Sequence, residues 1–128
     1  MVRNNRFFLD THVFIWWMEE NKRLSNDIWD LLYSPQNLIF LSVASVWEVI
    51  IKKAKGKLNL PKDIEGGIIA SGFTVLPIQI PHVLAVEKLP FHHKDPIDRL
   101  LVAQAMVENL TILTDDKKFG KYRVETFN

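Results

Sequence analysis

Phe7-Phe8-Leu9-Asp10-Thr11-His12-Val13-Phe14-Ile15-Trp16-Trp17 sets a single aspartate between two blocks of large apolar side chains. Arg6 to Leu9 reads as a short strand, apolar on consecutive residues as strands of a doubly covered parallel sheet are. The next residues read as a helix as far as Glu20, and the apolar side chains from Val13 to Met18 cover every side of it. Such a helix belongs in a core or an interface. A carboxylate at this strand end is costly to bury alone, so it should be paired, capped or bound to a metal.

Working outward, Leu38-Ile39-Phe40-Leu41 repeats the pattern and leads into a helix over Ser42 to Lys55, stopped by Gly56. Val43, Val46, Trp47, Ile50, Ile51 and Ala54 share one apolar face of that helix. Ser25 to Tyr33 reads as a helix with Ser25 as N-cap and Pro35 beyond its end. Pro61 to Ser71 predicts a weaker helix, because Gly66-Gly67 lies inside it. Phe73 to Leu76 is a strand, and Pro81 to Lys88 a short helix with proline in its first turn. Asp95-Pro96-Ile97-Asp98 starts a helix that runs to Glu108, with Asn109 suited to a left-handed C-cap. Leu110 to Thr114 and Val124 to Phe127 complete the strands. This order predicts an α/β fold: three layers, α/β/α, around a central, mainly parallel sheet of about four to five strands. The 128 residues fit one domain over 1–128, with no repeat, low-complexity tract or linker.

Hydrophobic residues make up 48% of the chain and charged residues 24%, a globular balance that excludes a disordered class. Cysteine is absent, which excludes disulfides and thiolate metal sites and suits a reducing compartment. Met1 to Arg6 shows no signal-peptide pattern. Leu38 to Ile51 is broken by Ser42, Ser45 and Glu48 and is too short to span a bilayer. A soluble, cytoplasmic protein is the expectation. The net charge of +1 conceals two basic stretches, Lys52, Lys53, Lys55 and Lys57, then Lys117, Lys118, Lys121 and Arg123. That distribution suits an acidic pocket ringed by basic patches, although the first stretch could equally serve the C-terminal end of its own helix.

Ligands of open α/β sheets bind outside the carboxyl ends of the strands. Asp10, Glu48, Asp95, Asp98, Asp115 and Asp116 all fall near strand-to-helix transitions. Each has an ordinary structural explanation. Asp10, Asp95 and Asp116 can cap helices or turns, while Glu48 stands three residues after Ser45 and four before Lys52. Gathered on one edge, however, such carboxylates repel one another unless a cation lies among them. An oxygen-rich, thiolate-free site favours Mg²⁺ or Mn²⁺. His12, His82, His92 and His93 have no HxH or HExxH spacing, so zinc is poorly supported. Trp16 and Trp17 could stack bases, but their helix favours a core or interface role.

Leu9-Asp10-Thr11, Ser45-Val46-Trp47-Glu48, Asp95-Pro96-Ile97-Asp98-Arg99-Leu100-Leu101-Val102-Ala103-Gln104-Ala105 and Leu113-Thr114-Asp115-Asp116-Lys117-Lys118-Phe119 occur in that order. In these motifs the chain resembles a PIN-domain nuclease, specifically the VapC-like toxin of a type II toxin–antitoxin pair. The resemblance implies an Mg²⁺- or Mn²⁺-dependent endoribonuclease whose acids carry over to Asp10, Glu48, Asp98 and Asp116, as both catalytic groups and metal ligands. Asp98 is preferred to Asp95 because it directly precedes the Leu100 to Ala105 segment. Asp116 is preferred to Asp115 for its spacing from Thr114 and Phe119. Both pairs stay open as alternatives. Thr114, Thr11 and Arg99 are expected as supporting residues, and Lys52, Lys53, Lys117 and Lys118 as RNA phosphate contacts. The implied partners are an RNA substrate, a cognate antitoxin and a second copy in a homodimer. DNA would be reached only through the antitoxin, and no membrane is involved.

Three rival readings remain. A receiver-like phosphoacceptor wants adjacent acids after the first strand and an aspartate directly after the third. Here the first strand offers Asp10 alone, and the third ends in Leu76-Pro77-Ile78. A catalytically silent PIN-like binding module shares the fold but has no need of four acids. A flap-endonuclease-like activity on DNA is the third.

Overall fold

The computed structural model describes residues 5–56 and 58–128. Lys57 lies outside the described residues, as do positions 1–4, on which the reading of the N-terminus rests. The elements run β1 (Arg6–Leu9), α1 (Thr11–Glu19), α2 (Asn26–Tyr33), β2 (Leu38–Ser42), α3 (Val43–Ala54), α4 (Ile64–Ala70) and β3 (Thr74–Leu76). They continue with α5 (Ile80–Val86), α6 (Pro96–Glu108), β4 (Thr111–Leu113), a 3₁₀ turn (Lys117–Lys121) and β5 (Thr126–Phe127). The helix ends follow local chemistry. Ser25 Oγ accepts from the Ile28 N–H, Ser42 Oγ from Ala44 and Asp95 Oδ1 from Ile97. Asn109 closes α6 in the left-handed conformation, at φ 56°.

The five strands form one sheet in the order β3-β2-β1-β4-β5, and every pairing is parallel. Successive strand residues face opposite sides, and this sorts the interior into two cores. Phe7, Leu9, Ile39, Leu41 and Leu113 meet Val13 and Phe14 of α1, Ile28 of α2 and Ile68 of α4. Phe8 and Ile112 face the other way, against Leu101, Val102 and Ala105 of α6 and Phe119 of the 3₁₀ turn. Fully burying one such side chain stabilises the fold by about 1.5–3 kcal/mol. The result is the three-layer α/β/α arrangement that the sequence predicts.

Helix α3 is turned differently from what its apolar stripe suggests. It packs on α1 and α6, and its buried residues are Ala44, Ser45, Glu48 and Val49. Trp47 is 61% exposed and Ile50 48%, beside exposed Val43 and Ile51. Hydrophobic periodicity identifies a face but not the side on which it lies, and here small and polar residues permit the close approach of α1. The outward stripe continues into Ile69 of α4 and Val75 of the edge strand β3.

Two buried polar links set α5 and α6 in place. His82 Nδ1 accepts from the Gln79 N–H at 3.0 Å and its Nε2 donates to Glu108 at 2.7 Å. Gln104 accepts from Ser42 Oγ at 2.6 Å and donates to the Pro77 carbonyl at 3.3 Å. The second link ties the start of α3 to α6. The helices carrying Glu48 and Asp98 are therefore held in register across the end of β2.

Candidate active site

The strand order places β1, which leads to β2 and β3 on one side, next to β4 on the other. The carboxyl ends of β1 and β4 form the switch point where ligands of such sheets bind. Asp10 stands there: its N–H continues the ladder to Leu113 O at 3.1 Å, and its carbonyl accepts from Phe14 N at 3.0 Å. The Asp10 side chain makes no capping bond to α1. Instead Oδ2 accepts from Thr114 Oγ1 at 2.8 Å, and Thr114 Oγ1 in turn accepts from the Asp116 N–H at 3.0 Å. One hydroxyl thus couples the acids that follow β1 and β4.

Glu48 enters from α3 and is 9% exposed. Its Oε2 pairs with Lys52 Nζ at 3.2 Å, the spacing foreseen for that lysine. The capping-box explanation for Glu48 does not hold, because Ser42 caps α3 while Ser45 Oγ bonds Thr11 Oγ1 at 2.9 Å. Thr11 pins α1 to α3 behind the acids rather than touching a carboxylate. Asp98, half-buried in the first turn of α6, completes the group. Asp95 is exposed and occupied as the N-cap of the same helix, and Asp115 is exposed.

The charges act on one another. Burial pushes Asp10 above the usual carboxylate range, against the pull of the Thr114 hydroxyl bond. Burial also raises Asp98, and repulsion from Asp10, Asp95, Glu48 and Asp116 helps carry it to about 7. Asp116 moves the other way. Its desolvation is outweighed by the Lys118 N–H and by His93, so its carboxyl lies below the ordinary value. Asp10 Oδ1 and Glu48 Oε1 are buried with no hydrogen-bond partner among the described residues. Unpaired buried carboxylate oxygens are costly, and a cation beside either would satisfy it. The donor set therefore fits a hard divalent cation. Among the described residues, no three acidic or histidine side chains already stand together as a closed ligand cluster. Mg²⁺ does not need one, since it takes one or two carboxylates and keeps several waters.

Arg99 departs from its expected place at the chemistry. It is 7% exposed, and its guanidinium donates to the carbonyls of Pro90 (2.9 Å), Val86 (3.2 Å) and Leu89 (3.4 Å). Phe91 stacks on it at 4.1 Å. Arg99 ties the end of α5 to α6 and takes no carboxylate partner among the described residues. Arg99→Met should cost about 2 kcal/mol, since it leaves buried carbonyls unpaired, and should lower the melting temperature by roughly 5–10 °C. Calorimetry checks this. An Arg99→Met protein that melts like the wild type would overturn this structural role.

Lys53, Lys117 and Lys118 are exposed near the acids in sequence, while Lys52 is engaged with Glu48. Trp17 is partly buried against Trp29, Tyr33 and Phe73, with its indole N–H on Ser71 Oγ at 2.9 Å. Its packing is structural. Sequence reasoning missed His93 and Tyr122: His93 Nε2 lies 3.0 Å from Asp116 Oδ2, and Tyr122 OH lies 3.0 Å from His93 Nδ1. No local spacing signals that contact.

No helix among the described residues is long and apolar enough to cross a membrane. No curated protein matches the chain in sequence. Solved structures do match its fold. The VapBC2 complex of Rickettsia felis, bound to a DNA fragment from its promoter, superposes with a TM-score of 0.72 at 18% identity, covering 96% of this chain and 98% of that one. FitAcB of Neisseria gonorrhoeae gives 0.72 at 21% identity, with 95% and 96% covered. VapBC-1 of nontypeable Haemophilus influenzae gives 0.65 at 17% identity, with 96% and 97% covered. The PIN domain family model matches residues 7–125, which takes in β2 to β4, all but the first residue of β1, every helix and all four acids, and stops just before β5; the chain belongs to the PIN domain family.

Proposed function

We propose that this protein is a metal-dependent endoribonuclease, acting as one domain over residues 1–128 and as the toxin of a type II toxin–antitoxin pair. The observation that carries the reading is two orphaned buried oxygens, Asp10 Oδ1 at the β1–β4 switch point and Glu48 Oε1 on α3, whose carboxylates both repel that of Asp98. Asp10 and Asp98 would hold the main Mg²⁺ or Mn²⁺, with Glu48 and Asp116 flanking it. When bound, such an ion activates water and offsets charge on the phosphate. Thr114 keeps Asp10 aimed and fixes the backbone of Asp116. Exposed Lys53, Lys117 and Lys118 would meet RNA phosphates, and Lys52 would turn from Glu48 to do the same. Similar folds occur in toxin–antitoxin complexes. The outward apolar face of α3 and the edge strand β3 are surfaces that an antitoxin segment or a second copy would cover. DNA is then reached through the antitoxin.

The test is cleavage of single-stranded RNA, single-stranded DNA and flap DNA by antitoxin-free protein. Internal cutting of RNA is expected with Mg²⁺ or Mn²⁺, falling to background in EDTA and returning when metal is restored. Cutting confined to DNA would replace the substrate class. Metal binding with no cutting of any substrate would favour the silent binding module.

A further inference from the structure

We propose that His93 is a positioning residue of the acidic centre, holding the Asp116 carboxylate from behind in a tautomer that the Tyr122 hydroxyl fixes. The proposal rests on the metal-nuclease reading and adds to it a residue pair with no acid among its members.

His93 lies between α5 and α6 and is 5% exposed; Tyr122 follows the 3₁₀ turn and is 6% exposed. The Tyr122 oxygen accepts from the His93 backbone N–H at 3.0 Å. The same oxygen lies 3.0 Å from His93 Nδ1. An ionised carboxylate only accepts, so the ring nitrogen that faces Asp116, Nε2, carries the proton. In the neutral imidazole Nδ1 then accepts the phenolic proton of Tyr122. That N–H points at Asp116 Oδ2, 3.0 Å away. The His93 ring lies nearly parallel to Tyr122, at an interplanar angle of 7°, and packs on Phe119 with centroids 4.5 Å apart. His92 closes the edge of Tyr122 at 4.8 Å.

The chain of contacts ends on a carboxylate that is still 38% exposed. Asp116 Oδ1 takes the Lys118 N–H at 2.9 Å, and Oδ2 takes His93. Each oxygen has two acceptor positions, so one on each stays open. A purely structural tie needs none of this: the Tyr122 hydroxyl already joins the loop to the turn through the His93 backbone. Beyond its packing on Phe119 and Tyr122, the imidazole adds a donor to Asp116. Partners of this kind tune metal affinity by about 10–100-fold when removed.

The test compares wild type, His93→Leu, His93→Gln and Tyr122→Phe, all free of antitoxin. Free Mn²⁺ is read by electron paramagnetic resonance and the fold by circular dichroism. His93→Leu should raise the Mn²⁺ Kd by about 10–100-fold. His93→Gln, whose amide can donate from nearly the same position, should recover most of that loss. Tyr122→Phe should fall between. Folded His93→Leu protein with wild-type Mn²⁺ affinity overturns the proposal and leaves the nuclease reading standing. Wild-type protein that neither binds Mn²⁺ nor cuts RNA overturns both. A second readout needs no variant: ¹H–¹⁵N correlation of the wild-type imidazole should show the proton on Nε2 and a shift on adding Mg²⁺. A proton on Nδ1 overturns the proposal.

Discussion

Asp98→Asn is expected to lower RNA cleavage by about 10²–10³-fold at saturating Mn²⁺, with the fold intact. A divalent ion supplies several kcal/mol of charge stabilisation to phosphodiester hydrolysis, and every 1.36 kcal/mol is about tenfold in rate. Asn keeps the shape of Asp98 but removes the charge that burial, Asp10, Asp95, Glu48 and Asp116 together disfavour. The informative control is Asp95→Asn. Asp95 caps α6 through the Ile97 N–H at 2.8 Å, so its amide should cost at most about 1 kcal/mol of stability and leave cleavage within a few-fold. Initial rates of the two purified variants decide the matter. Full activity in Asp98→Asn, or its loss in Asp95→Asn, would reassign the ligand.

The second large effect is a reversal of pH dependence by metal. Burial holds the folded pKa values of Asp10 and Asp98 above the ordinary aspartate value, Asp98 at about 7. The folded state therefore binds their protons more tightly than the unfolded chain does. For Asp98 this stability is full below about pH 4 and is lost as pH rises through about 7, and Asp10 acts in the same direction. Asp116 is shifted down, so its contribution is lost only as pH falls below the usual carboxylate range, outside the window from pH 5 to 8. Metal-free wild-type protein should thus lose stability from pH 5 to pH 8 relative to Asp98→Asn. Metal binding needs ionised carboxylates, so Mn²⁺ should act most at pH 8. At a hundred times its Kd it adds about 2.7 kcal/mol, roughly 8–12 °C in melting temperature for a chain of this size. Scanning calorimetry of both proteins at pH 5 and 8, with Mn²⁺ or EDTA, tests it. No gain from Mn²⁺ at pH 8 would sink the metal centre.

The elements themselves are written locally. Apolar runs at Phe7–Leu9 and Leu38–Leu41 make buried strands, and Ser25, Asp95-Pro96 and Asn109 mark helix ends through bonds to their own neighbours. Short-range hydrogen bonding and sterics suffice for these, so they are legible in one dimension. The gathering of acids was legible for the same reason, since Asp10, Glu48, Asp98 and Asp116 each sit within a turn or two of an element end. Contacts between distant segments were not. Arg99 adjoins Asp98 in sequence, but consecutive helical residues do not face each other, and packing turned its guanidinium onto the carbonyls after α5. The outward direction of the α3 stripe depended on how closely α1 could approach Ser45. Thr114 reaches Asp10 across 104 residues, and Tyr122 reaches His93 across 29. Local pattern alone sets the order of elements and puts each acid near an element end. Which side chains hold those acids in place was decided only by tertiary packing, because it brings together donors and acceptors that no local spacing relates.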